Sequence, residues 1–149
     1  MASWADLVSQ SPALGEAGRA LLFRHGDGHA LLATVRGDES PRIHPISVGL
    51  MDGVLYAFIL RSAKLTDLEQ DGRYALHAHV DPAAPSEFLV RGRAHEVTDP
   101  AVRAAVAASW SFTVDDTYRL FAFDIDTALL GERPSQDATP PRYARWSVG

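Results

Sequence analysis

The sequence contains no cysteine. A disulfide framework, a thiolate zinc site and a cysteine nucleophile are therefore excluded. Lysine is almost missing as well: of the 14 basic residues only Lys64 is a lysine, and the rest are arginine. In a chain that so prefers arginine, a retained lysine is a candidate for a specific task. Positive charge is in deficit, with a net charge of -5 and the arginines scattered, which argues against phosphate-neutralising nucleic-acid binding. No apolar run approaches the ~20 residues of a membrane span. The start, Met1 to Asp6, lacks the basic stretch and apolar run of a signal peptide. Together with the absent cysteines this leads us to expect a cytoplasmic protein. There is no internal repeat and no low-complexity linker.

What is present fits one globular domain over residues 1–149, with 46% hydrophobic and 22% charged residues. Residues 1–25 read as helical. Ser3 can cap Trp4 to Val8, and Ser11-Pro12 starts a second helix in which Leu14, Ala17, Leu21 and Leu22 share a face to about Arg24. The period then changes to that of strands, expected at 29–36, 42–50 and 54–60, the last two joined by an Asp52-Gly53 hairpin. A short helix is expected over Lys64 to Gln70, then strands at 74–80 and 87–97. A third helix from Ala101 to about Trp110, capped by Asp99-Pro100, and a strand from Arg119 to Ile125 follow. Residues 140–149 form a C-terminal arm, either a seventh strand or a docking segment. About six antiparallel strands in so short a chain tend to curl and close, which removes exposed edges. The fold class expected is mainly β with flanking helices.

Several segments could carry chemistry. Between the strand ending at Leu60 and the helix that follows lie Arg61, Ser62 and Lys64. A helix start offers unpaired N–H groups and partial positive charge, to which these side chains add a hydroxyl and two cations, together a plausible phosphate cradle. The alternative is an ordinary helix cap. Arg42-Ile43-His44-Pro45-Ile46-Ser47 places proline inside a strand, so one side of that strand is an edge or faces something other than a partner strand. A flat ligand could fill that side. His77 and His79 share one strand face; a third metal ligand is not evident unless Glu87 or His95 folds back, and no metal is expected. Gly92, mid-strand, marks a bulge or a close backbone approach. Trp146 is a core plug or an interface anchor. No serine sits in a strand–turn–helix elbow flanked by glycines.

The ordered series Leu-Leu-Ala-Thr-Val at 31–35, Pro-Arg-Ile-His-Pro-Ile at 41–46, Asp-Gly-Val-Leu-Tyr-Ala-Phe at 52–58, Ser-Ala-Lys-Leu-Thr-Asp-Leu at 62–68, Asp-Gly-Arg-Tyr-Ala-Leu-His at 71–77 and Glu-Phe-Leu-Val-Arg-Gly-Arg-Ala at 87–94 resembles the pyridoxamine 5'-phosphate oxidase-like family of FMN-binding split barrels. The resemblance spans roughly residues 18 to 148. It implies a six-stranded antiparallel split β-barrel of Greek-key type. It also implies a homodimer with cofactor sites at the interface, and an FMN-dependent oxidoreductase acting on a small molecule. Ser62 and Lys64, with Arg61, would hold the FMN phosphate. Arg42, His44, Pro45, Ile46 and Ser47 would run beside the ring, and Ala57, Phe58 and Ile59 would back it. His77 and Trp146 would approach from one subunit or the other. The basic pair beside the flavin and the C-terminal Arg-x-His motif of true pyridoxamine phosphate oxidases are absent, so vitamin B6 oxidation is not implied. The resemblance leaves a deazaflavin-dependent reductase, or a non-catalytic flavin- or haem-binding protein, as alternatives. For haem, His44 or His77 would be the axial ligand.

Overall fold

The computed structural model describes residues 2–149. Two helices open the chain, α1 (Trp4–Gln10) and α2 (Pro12–Leu22). Ser3 starts α1 through a capping box with Asp6, and Pro12 occupies the first turn of α2. Strands β1 (Gly28–Val35), β2 (Pro41–Met51) and β3 (Val54–Ile59) follow as a meander. The β2–β3 turn needs left-handed backbone, and Asp52 (φ 49°) and Gly53 (φ 75°) provide it.

Helix α3 (Ala63–Gln70), strands β4 (Arg73–Ala78) and β5 (Glu87–Glu96), helix α4 (Pro100–Ala108) and strands β6 (Arg119–Glu132) and β7 (Arg142–Ser147) complete the chain. All pairings are antiparallel, in the order β3-β2-β1-β4-β5-β6-β7, and β3 also pairs with β6. That pairing closes six strands into a barrel and leaves β7 as an addition on β6. Inward residues of each strand, such as Leu32, Leu55, Leu76, Phe88, Phe123 and Ile125, fill the interior.

One element differs from expectation, and an open alternative is decided. Asp124 and Asp126 read as strand-end charges, yet β6 continues to Glu132. The register jumps from Arg91↔Thr127 to Gly92↔Ile125, so Asp126 is the extra residue of a bulge and the strand passes it. Gly92 is required there, since a Cβ would lie 2.0 Å from the Asp124 carbonyl oxygen. The C-terminal arm is a true strand: β7 pairs with β6 from Arg142 to Ser147. The Trp146 indole N–H also donates to Gln10 Oε1 of α1 at 3.0 Å, which ties the arm to the N-terminus.

Candidate cofactor site

The barrel is split along one seam. β2 has eleven residues, but only Gly49, Leu50 and Met51 pair with β3. Beyond that point β3 pairs with β6 alone, from Ala57 to Ile59. Among the described residues, 41–48 of β2 are bonded to β1 and to no strand on their other side. This is the free strand side that Pro45 suggests in the sequence. The far end of the seam runs toward the segment that follows β3, where α3 begins.

Ser62 caps α3. Its Oγ accepts from the Leu65 N–H at 3.3 Å and donates to the Leu60 carbonyl at 2.8 Å. The hydroxyl is thus engaged in the helix start. The N–H groups of Ala63 and Lys64, in the first turn, take part in no hydrogen bond among the described residues. Arg61 and Lys64 form no ion pair among them either. Free N–H groups and two uncompensated cations at one helix start favour an anion.

Beneath α3 lies a polar network that pattern reading misses. Asp67 is only 3% exposed and Thr34 only 1%. Thr34 Oγ1 donates to Asp67 Oδ2 at 2.7 Å and stands 3.2 Å from His44 Nε2. Arg42 Nε donates to the same Asp67 oxygen at 2.9 Å. Arg42 is thereby tied to Asp67 through Nε. Burial, then the positive charges of Lys64 and Arg42, push the His44 imidazole below its ordinary value, with Asp67 opposing. The signal for this network was a polar residue on each apolar face: Thr34 in line with Leu32 and Ala30, and Asp67 between Leu65 and Leu68.

The remaining candidates do not converge within the chain. Ile46 points into the barrel, whereas Pro45 and Ser47 lie on its outer face. Ala57 and Ile59 are buried in the interior. The Phe58 ring is taken up edge-on by Trp110 at 5.0 Å, with the Arg103 guanidinium 5.3 Å from its centre. His77 lies on the outer face, opposite Leu31, which is in turn opposite Pro45. Trp146 is remote. It pairs with Ala128 of β6, whereas Ile59, near Lys64, pairs with Arg119. Those two positions are about 30 Å apart along the strand at ~3.3 Å per residue.

Trp110 is a further residue that sequence reading overlooks. Its ring lies over Gly49, where a Cβ would approach to 2.5 Å. Its indole N–H is buried with no hydrogen-bond partner among the described residues. It lines a cavity of about 170 Å³ beside Val48, Gly49 and Tyr56, where β2 leaves β3. A buried donor without an acceptor is uncommon in folded proteins. Among the described residues no three potential metal ligands cluster.

No family model matches the chain, and neither does any curated protein. Solved structures do match. General Stress Protein 26 from Bacillus anthracis str. Sterne superposes with a TM-score of 0.61 at 22% identity, over 88% of this chain and 97% of that one. A protein from Clostridium acetobutylicum related to general stress protein 26, of the pyridoxinephosphate oxidase family, gives 0.62 at 12% identity over 95% and 94%. The fold is that of the pyridoxamine 5'-phosphate oxidase-like split barrels. A haem binding protein from Mycobacterium smegmatis shares it, with a TM-score of 0.66 at 15% identity over 88% of this chain; the chain spans 57% of that protein's length. Likeness at these identities establishes the split barrel, and function is argued from the site's own residues.

Those residues suit a flat, phosphate-bearing group. The split barrel offers an unpaired strand edge along the seam, free N–H groups with Lys64 at one end, and the orphaned Trp110 N–H at the other. Arg42 meets Asp67 through Nε alone, and its two terminal nitrogens make no hydrogen bond among the described residues.

Proposed function

We propose that this chain binds FMN in the seam between β2 and β3 and works as a flavin-dependent oxidoreductase. The observation that carries the reading is the unpaired edge of β2 residues 41–48, which runs toward a helix start bearing the uncompensated Lys64. Lys64, Arg61 and the Ala63 and Lys64 N–H groups would hold the phosphate, and Ser62 would hold the helix start in place. Backbone groups of His44 to Ser47 would hydrogen-bond the edge of the ring. Trp110 would donate to an acceptor on it. When bound, the flavin supplies the hydride or electron transfer. The protein's part is to orient the ring and keep one face open to a small-molecule substrate.

We further propose that the working unit is a homodimer. The outer faces of β2, β1, β4 and β5 carry Pro45, Leu31, His77 and Leu89 in one cross-strand row and Ile43, Ala33, Ala75 and Arg91 in the next. Ile43 is 66% exposed. Pairing of these faces would cover the apolar surface and bring in residues, Trp146 among them, that one subunit holds far from Lys64.

Titration of the purified chain with FMN, followed by flavin absorption and fluorescence, tests the reading. Saturable binding is expected. In Lys64→Ala the loss of one charge-assisted contact weakens it by about 1.5–3 kcal/mol, roughly 10- to 100-fold. Unchanged affinity in that variant would show the phosphate to be held elsewhere. A purified protein with a strong Soret band, or one that takes up a deazaflavin and not FMN, would replace FMN by that group.

A further inference from the structure

The cavity beside Trp110 has buried donors at its floor and an exposed mouth. Tyr56 is the strand partner of Gly49, so its side chain stands on the sheet face over which the Trp110 ring lies. Phe58, two residues on, meets that ring edge-on at 5.0 Å and helps to hold it. The Trp110 N–H can only donate, and it is buried with no acceptor among the described residues. Tyr56 is 7% exposed, and its hydroxyl makes no hydrogen bond among them either. Burial, then the charge of Asp52, pushes that hydroxyl up from its ordinary value, so it keeps its proton. Two donors thus line one cavity without an acceptor. Val48 and Val106 supply apolar walls, and Asp27 and Ser111 stand on the exposed rim. Asp27 is the only charged residue that lines the cavity.

We infer that this cavity is a binding site for a neutral ring amide, whose carbonyl oxygen accepts from Trp110 and Tyr56. Its volume of about 170 Å³ suits one six-membered ring; an apolar cavity of about 150 Å³ holds benzene. Both inner donors call for an acceptor. With no cation lining the cavity and Asp27 at its rim, a carboxylate would enter without a counter-charge. An amide brings its carbonyl without a charge, and its N–H can donate to Asp27. The ring is either the outer, carbonyl-bearing ring of a flavin or that of a free substrate. The inference shares Trp110 with the flavin reading above and does not depend on the grip at Lys64.

The Trp110 indole N–H signal in nuclear magnetic resonance, identified by its loss in Trp110→Phe, reports on the site in the full chain. 2-Pyridone, a neutral ring amide, is expected to move it saturably; benzoate, of similar size but charged, is not. Tyr56→Phe keeps the ring and removes the hydroxyl, and is expected to weaken 2-pyridone binding roughly 2- to 10-fold. Riboflavin, a flavin with no phosphate, separates the two sources. If it displaces 2-pyridone, the cavity takes the flavin's outer ring; if it does not, the cavity takes a free substrate. A Trp110 signal unmoved by 2-pyridone and by riboflavin would overturn the site and leave the cavity to water. Benzoate binding as tightly as 2-pyridone, or equal 2-pyridone affinity in Tyr56→Phe, would overturn the assignment to a neutral amide. Binding of 2-pyridone by a chain that takes up no FMN would uphold the site and remove the flavin; FMN binding with the Trp110 signal unmoved by either probe would do the reverse.

Discussion

Asp67 and His44 set the terms at the residue scale. Asp67 is a carboxylate almost out of contact with water, accepting from Thr34 at 2.7 Å and Arg42 at 2.9 Å. Asp67→Ala leaves the Thr34 hydroxyl buried without an acceptor and Arg42 without its partner. We expect a loss of about 1–3 kcal/mol, read as a lower urea midpoint with an unchanged slope. His44 contributes a pH dependence of its own. Its folded value lies below the ordinary 6.5, so the unfolded chain binds the proton more readily. The stability tied to His44 is complete above about pH 6.5 and is lost as pH falls toward the lower folded value. Urea midpoints measured across that window should slope less in His44→Gln than in the wild type; an equal slope would place the titration elsewhere.

At the scale of elements, the bulge in β5–β6 is the feature most exposed to a single change. Gly92 faces the Asp124 carbonyl, with 2.0 Å available to a Cβ. Backbone cannot yield as a flexible side chain can. Gly92→Ala is therefore expected to cost about 1–3 kcal/mol and to disturb the Tyr74 hydroxyl that donates to the same carbonyl at 2.8 Å. Thermal unfolding with far-ultraviolet circular dichroism measures the first effect. Strand β3 shows the other element-scale lesson. It is buried on both faces because Leu55, Ala57 and Ile59 face the barrel while Tyr56 and Phe58 face α4. Its run of strand formers was legible in the sequence; which neighbour covered each face was not.

The whole molecule leaves an apolar sheet face uncovered, and a homodimer is the state in which it would be buried. Ile43→Glu places a charge at its most exposed apolar position, 66% accessible in one chain. Analytical ultracentrifugation should find a dimer for the wild type and a shift toward monomer for the variant. A wild-type monomer at micromolar concentration would remove the partner from the proposed site.

By itself the sequence determined the barrel's parts and their order. The meander, the Asp52-Gly53 hairpin and the helix cap at Ser62 all depend on neighbours in the chain, where spacing and turn chemistry are decisive. Only the tertiary structure decided where β2 parts from β3, that Arg42 meets Asp67, that Trp110 covers Phe58, and that Trp146 stands far from Lys64. Each of these joins residues distant in the chain. A buried polar contact such as Thr34 to Asp67 is selected by the fit of two surfaces, and no local period records it.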